Sequence, residues 1–188
     1  MSTTAIVLLV VLALIIVWVI SAFNRLVRYT NQAKEAWADI QVQLKRRYDL
    51  IPNLVETVKG YAAHESSAFE NVTKARAVAM GAGATPSAQA QAENQLSGAL
   101  KSLFAVSEAY PDLKANQNFL QLQRELGDTE DKIQAARRFY NSTVMALNTS
   151  IQSFPDNIIA STFGFAPMDL FELGPSDAAA VEPVKVRF

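Results

Sequence analysis

The sequence predicts an all-helical membrane protein: one N-terminal transmembrane helix continuing into an antiparallel up-down four-helix bundle, with a short strand-like C-terminal tail. Three observations predict it. Residues 5–23, AIVLLVVLALIIVWVISAF, hold no charge. The rest of the chain carries apolar stripes at spacings of three and four, the signature of helices with one buried face. Short breaks rich in glycine and proline separate the stripes, and short links make sequential helices antiparallel neighbours.

The uncharged run comes first. A helix of 19 residues is roughly 28 Å long at 1.5 Å per residue, close to the thickness of a bilayer's hydrocarbon core. A core helix of a soluble domain would show a polar face, and this one has none. A cleavable signal peptide would carry a positive n-region and a shorter apolar stretch, whereas Met1 to Thr4 contain no Lys or Arg. The run is therefore read as an uncleaved anchor. Arg25, Arg28 and Lys34 follow it and no cation precedes it. The positive-inside rule then places the bundle in the cytoplasm and the N-terminus outside, in the inner (cytoplasmic) membrane. Trp18 falls near the cytoplasmic end, at the level where indoles favour headgroups.

Four stripes follow. Leu26, Tyr29, Ala33, Trp37, Ile40, Leu44 and Tyr48 continue the anchor as one helix, expected to stop near residues 49–53 because Pro52 disfavours helix at Ile51. A second helix is expected over about residues 53–80, with a kink or polar layer near Gly60 and His64-Glu65. It stops at the glycine- and proline-punctuated GAGATPS segment. A third covers about residues 88–110, on Leu96, Ala99 or Leu100, Leu103, Val106 and Tyr110, and Pro111 ends it. The fourth runs from Phe119 to Phe154 in alternating steps of three and four, with Ser150 as a small polar step. That 3.5-residue repeat predicts left-handed, near-parallel, coiled-coil-like packing. Pro155 closes it, and Asp156 is placed to cap a short helix ending at Thr162. The resulting division is an anchor segment over residues 1–23, a helical bundle over 24–162 and an extended tail over 163–188. The tail ends PVKVRF, an alternating pattern whose Val184, Val186 and Phe188 form a candidate self-association strand.

The composition narrows the chemistry. Seventeen basic and 18 acidic residues give a net charge of −1, so no strong field exists to attract nucleic acid, and no nucleic-acid partner is expected. Cysteine is absent, which excludes disulfides, thiolate metal sites and thiol nucleophiles. His64 is the single histidine, too few for a histidine metal cluster, and position 68 is Ala where a zinc-protease helix would need a second histidine. Phosphate-loop, dinucleotide and serine-hydrolase motifs are missing. No catalytic residue, metal or cofactor is assigned. Lys45-Arg46-Arg47 reads as a partly solvated face paired with Asp49, Glu56 or Glu65, with Arg46 or Arg47 turned inward towards a partner. Glu125, Asp128, Glu130 and Asp131 read as a solvated acidic face, as do Arg137 and Arg138 on the basic side.

Residues 36–55, AWADIQVQLKRRYDLIPNLV, resemble the LemA family. The likeness extends through VKGYA at 58–62, His64-Glu65, ARA at 75–77, EAYPDLKAN at 108–116, RRFYN at 137–141, FPDN at 154–157 and Phe171-Glu172. The resemblance implies a short external N-terminus, one anchor and a cytoplasmic helical bundle, with no established enzymatic activity. It singles out Trp37, Arg46, Arg47, Asp49, Pro52, Asn53, His64, Glu65, Tyr110 and Asn141 as an interior polar network or a binding surface. The leading expectation is a membrane-anchored scaffold or assembly protein without catalytic activity. It would self-associate as a homo-oligomer in the lipid bilayer and recruit other membrane proteins. The alternative is a membrane-bound ligand or signal sensor with a polar pocket between helices, lined by Arg47, His64 and Glu65.

Overall fold

The computed structural model describes residues 2–62, 64–83 and 85–172. Six helices form in chain order: α1 Thr3–Lys59, α2 Ser66–Gly81, α3 Pro86–Ser107, α4 Pro111–Lys114, α5 Gln117–Gln152 and α6 Asp156–Phe163. No strand occurs among the described residues. Val184, Val186 and Phe188 lie outside them.

The chain divides into two compact units, and α1 and α5 each contribute to both. The first unit takes Met1–Ala38 and Arg138–Met168. Its α1 segment begins with the apolar run, and large side chains there are exposed on every side, Leu8 by 69% and Val17 by 61%. One-sided burial starts at Ala22 and Leu26, which pack with Leu147 of α5 and with Ile159 and Ala160 of α6. The rings of Trp37 and Tyr140 meet at 5.4 Å. Beyond α6, Gly164 adopts the left-handed conformation at φ 73°. The Phe165 N–H then returns to the Ala160 carbonyl at 2.9 Å, the closure that an αL residue makes possible. Asn148 holds the following coil with two bonds of 2.9 Å, one to the Met168 N–H and one to its carbonyl.

The second unit holds Asp39–Arg137 together with the chain from Asp169. Its α2 and α3 pack against each other. Thr85 caps α3 by accepting from the Ala88 N–H at 3.2 Å, with Pro86 at the first helical position. Asn116 does the same for α5, accepting from the Phe119 N–H at 3.0 Å. Phe171 is completely buried within the coil that follows α6.

Several expected boundaries move. The first helix does not stop at Pro52; α1 passes through it to Lys59. A proline inside a helix strands the carbonyl four residues back, here that of Tyr48. Arg76 of α2 donates to that oxygen at 2.8 Å, which satisfies the acceptor that Pro52 leaves open. The break falls instead at Gly60–Glu65, so the expected second helix is split and α2 starts only at Ser66. Pro111 opens the four-residue α4 after a gap rather than simply ending α3. Along α5 the expected stripe is mostly the buried one: Phe119, Leu126, Thr129, Ile133, Tyr140, Thr143, Leu147 and Ser150 are buried and Leu122 and Ala136 half-buried, but its last member, Phe154, lies past the end of the helix at Gln152 and is 81% exposed. Asp156 does not cap α6 with its side chain; its carboxylate binds Arg25 and Ser150 instead.

Candidate functional site

The most elaborate polar assembly lies inside the second unit, where α1, α3 and α5 each contribute a charged group. The α1 stripe that buries Ile40, Leu44 and Ile51 also carries Arg47 and Tyr48 inward. Gln89, Glu93, Leu96, Leu100, Leu103 and Ser107 form one buried face of α3 in steps of four and three, so three polar side chains occupy positions set by the hydrophobic pattern.

Arg47 has a side chain 5% exposed and meets three partners: one terminal nitrogen lies 3.4 Å from Glu93 and 3.0 Å from Glu130, and the other donates to Ser97 Oγ at 2.7 Å. The Tyr48 hydroxyl donates to Glu93 Oε1. Gln89 Nε2 lies 2.9 Å from that same oxygen, 2.9 Å from the Tyr48 hydroxyl and 3.0 Å from the Ala79 carbonyl near the end of α2. Burial pushes the Glu93 carboxyl above its ordinary value, ahead of the opposing pull of Tyr48, Arg47 and Gln89. Burial, followed by the adjacent Glu93, pushes the Tyr48 phenol up as well, so the phenol stays protonated and acts as a donor. A buried ion pair of this kind contributes less to net stability than to a fixed arrangement, because desolvation offsets most of its attraction.

On the solvent side of Arg47 opens a cleft of roughly 390 Å³, lined by Arg47, Ser97, Leu100, Lys101, Phe104, Gln123, Leu126, Gly127 and Glu130. Its floor is apolar, and its polar groups are one buried guanidinium, one half-buried carboxylate, one exposed ammonium, a hydroxyl and an amide. No cluster of three or more metal-ligating side chains occurs among the described residues.

The other residues singled out in the sequence fall in three places. Glu65 and Tyr110 are brought together, the phenol 3.4 Å from Glu65 Oε1, beside a second tie of 2.8 Å between Asn116 and Tyr61. Trp37 and Asn141 are half-buried and both have partners. Arg46, Asp49, Pro52, Asn53 and His64 are exposed, with Asp49 3.0 Å from Lys45. His64 and Glu65 do not line the cleft. Arg47 therefore turns inward and Arg46 outward, and Arg47 pairs with none of the carboxylates expected for it. Glu130 is no freely solvated acid, since it meets Arg47. Glu93, Gln89 and Arg76 escape the sequence reading. The stripe Leu96–Leu100–Leu103, extended one step back, would have reached Glu93.

The LemA family model matches residues 36–188, a stretch that includes the whole of this polar assembly. The chain belongs to the LemA family. It is 28% identical over 163 residues to Protein LemA of Metamycoplasma hominis, covering 87% of this chain and 72% of that protein. It is 24% identical over 187 residues to Magnetosome protein MamQ of Magnetospirillum gryphiswaldense, covering 86% and 69%. Magnetosome protein MamQ 2 of Paramagnetospirillum magneticum is similar at 25% identity, with the same coverage. Family membership and the apolar N-terminal helix, long enough to cross a membrane, support a membrane-associated helical protein.

Proposed function

We propose that this LemA-family chain is a membrane-anchored helical scaffold or assembly protein, without catalytic activity, that self-associates and recruits other membrane proteins. It sits in the inner membrane with its N-terminus outside, and its helical region forms an antiparallel up-down four-helix bundle in the cytoplasm. One observation carries the anchoring: the apolar run at residues 5–23 is exposed around nearly its whole circumference and passes without a break into the rest of α1. Such a surface is far larger than a water-soluble protein leaves open, and lipid satisfies it. Arg25, Arg28 and Lys34 support the orientation. Long one-faced helices, with polar groups tied to each other inside, support a role based on shape and contact.

The test is mass-resolved sizing of the full chain in detergent. The expected result is a homo-oligomer, weakened by deleting residues 183–188. A strict monomer at all concentrations overturns the self-association. Recovery of the chain in the supernatant after alkaline extraction overturns the anchoring.

The second reading, a ligand or signal sensor, is supported by the cleft at Arg47. A thermal-shift screen of small anions and amphiphiles tests it. A hit abolished by Lys101→Glu favours the sensor, and a screen with no hit favours the scaffold.

A further inference from the structure

We propose that α6 and its flanking turns are a second membrane contact: an interfacial element that lies along the lipid surface and buries Phe154, Ile158 and Phe163 at the headgroup–acyl boundary. The inference rests on the anchoring reading above and deepens it.

Depth is set by packing within the first unit. The buried cluster of α6, Ile159 and Ala160, packs on Ala22 and Leu26, and Trp18, Val19 and Phe23 close around it. Four of those contacts, Trp18, Val19, Ala22 and Phe23, belong to the uncharged run itself. The Phe163 ring meets the Phe23 ring edge-on at 4.9 Å, and Phe23 is the last residue of the run. If the run spans the bilayer, α6 is held at the level where the span ends.

Two contacts fix both ends of α6. Asp156, the first residue of α6, pairs with Arg25, and Phe163, its last, meets Phe23. Seven residues of rise in α6, roughly 10 Å, are thus matched to two residues of rise in α1, roughly 3 Å. Both ends of α6 are therefore tied to α1 within two residues of Phe23, where the uncharged run ends.

The chemistry suits that place. Phe154 is 81% exposed, Ile158 52% and Phe163 55%. Residues 153–168, SFPDNIIASTFGFAPM, carry a single charge, that of Asp156, and Arg25 and Ser150 occupy its carboxylate. Binding at the interface scales with the apolar area buried there, and these three side chains supply it.

The chain contains no cysteine, so single labels can be introduced into the full-length protein. We would attach an environment-sensitive nitrobenzoxadiazole to Phe154→Cys, Ile158→Cys and Phe163→Cys, with Leu12→Cys and Gln121→Cys as references. The proteins are reconstituted in phosphatidylcholine–phosphatidylglycerol vesicles with and without doxyl-labelled phosphatidylcholine. The expected result is blue-shifted emission, quenched by the doxyl lipid, at Phe154→Cys and Ile158→Cys, which make no core contact, and at Phe163→Cys. Gln121→Cys stays water-like. Water-like emission at the α6 positions with lipid-quenched emission at Leu12→Cys overturns the proposal and leaves the anchor intact. Blue-shifted emission that the doxyl lipid does not quench also overturns it, because protein then covers the patch. Unquenched emission at Leu12→Cys as well overturns the anchoring reading itself.

Discussion

Arg76 of α2 donates its Nε–H to the backbone carbonyl of Tyr48 in α1 at 2.8 Å. That oxygen is the acceptor that Pro52, lacking an N–H, leaves open four residues along the helix. A buried carbonyl left without a donor costs about 1–3 kcal/mol, so the contact explains how a 57-residue helix accommodates an internal proline. Arg76→Met is expected to destabilise the protein by about that amount. In a Pro52→Ala background the helix supplies its own donor, and the same substitution is expected to lose much less. Thermal unfolding of the four proteins in detergent measures the coupling. Additive effects would show that Arg76 acts elsewhere.

Glu93 gives the fold a pH response of definite sign. The groups facing it are Arg47 and Tyr48 from α1, Gln89 from its own helix, and Glu130 from α5. Burial raises its carboxyl above the ordinary 4.5. A carboxyl that binds its proton more tightly when folded contributes stability that is complete below the unfolded value and lost as pH rises through the folded one. Glu93→Gln keeps the shape and has no proton to lose. The unfolding midpoint of the unsubstituted protein should therefore fall relative to Glu93→Gln as pH climbs from 4.5 upward. Parallel pH curves for the two proteins would contradict it.

The same two sites mark what could be read in the sequence. Helix class, the long apolar N-terminal helix and most of the buried stripes were legible because they depend on local composition and spacing alone: Ile40, Leu44 and Tyr48 on α1, and Phe119, Leu126, Ile133, Tyr140 and Leu147 on α5, are buried as the periodicity requires. Pro52 misled because its effect is decided by a guanidinium 24 positions later in the chain, and no local rule reports that. Lys45-Arg46-Arg47 could be sorted only as far as one inward arginine, since the partners Glu93 and Glu130 arrive from helices whose pairing spacing does not specify. His64, conspicuous as a lone titratable group, proved to be an exposed loop residue.

Asp156 is expected to control α6 locally. Its carboxylate, 10% exposed, joins Arg25, 41% exposed, to Ser150 Oγ at 3.0 Å. The half-exposed partner limits the ionic contribution through solvent screening, and most of the loss on substitution is that of hydrogen bonds. Asp156→Ala should cost about 1–2 kcal/mol. The effect should fall on amide hydrogen exchange across residues 157–163, with α3 protection unchanged. Uniformly faster exchange throughout the chain would mean that the contact supports the global fold rather than the docking of one helix.

Two glycines with open surroundings should respond in opposite directions to the same added methyl. A Cβ at Gly98 or at Gly164 meets no atom within 4 Å, so sterics with neighbours decide neither case. Gly98 lies inside α3 at an exposed position, where alanine restricts the unfolded chain and extends helix propensity. Gly98→Ala should stabilise by roughly 0.5–1 kcal/mol. Gly164 sits at φ 73° after the last turn of α6, where a Cβ crowds its own backbone. Gly164→Ala should destabilise by about 1 kcal/mol, and Gly164→Asn by less, because asparagine tolerates the left-handed region. Thermal unfolding with far-ultraviolet circular dichroism ranks the three variants. A stabilising Gly164→Ala would mean that the turn after α6 can abandon its left-handed closure without loss, and the positioning of Phe165 against Phe23 at 5.7 Å would then need another cause.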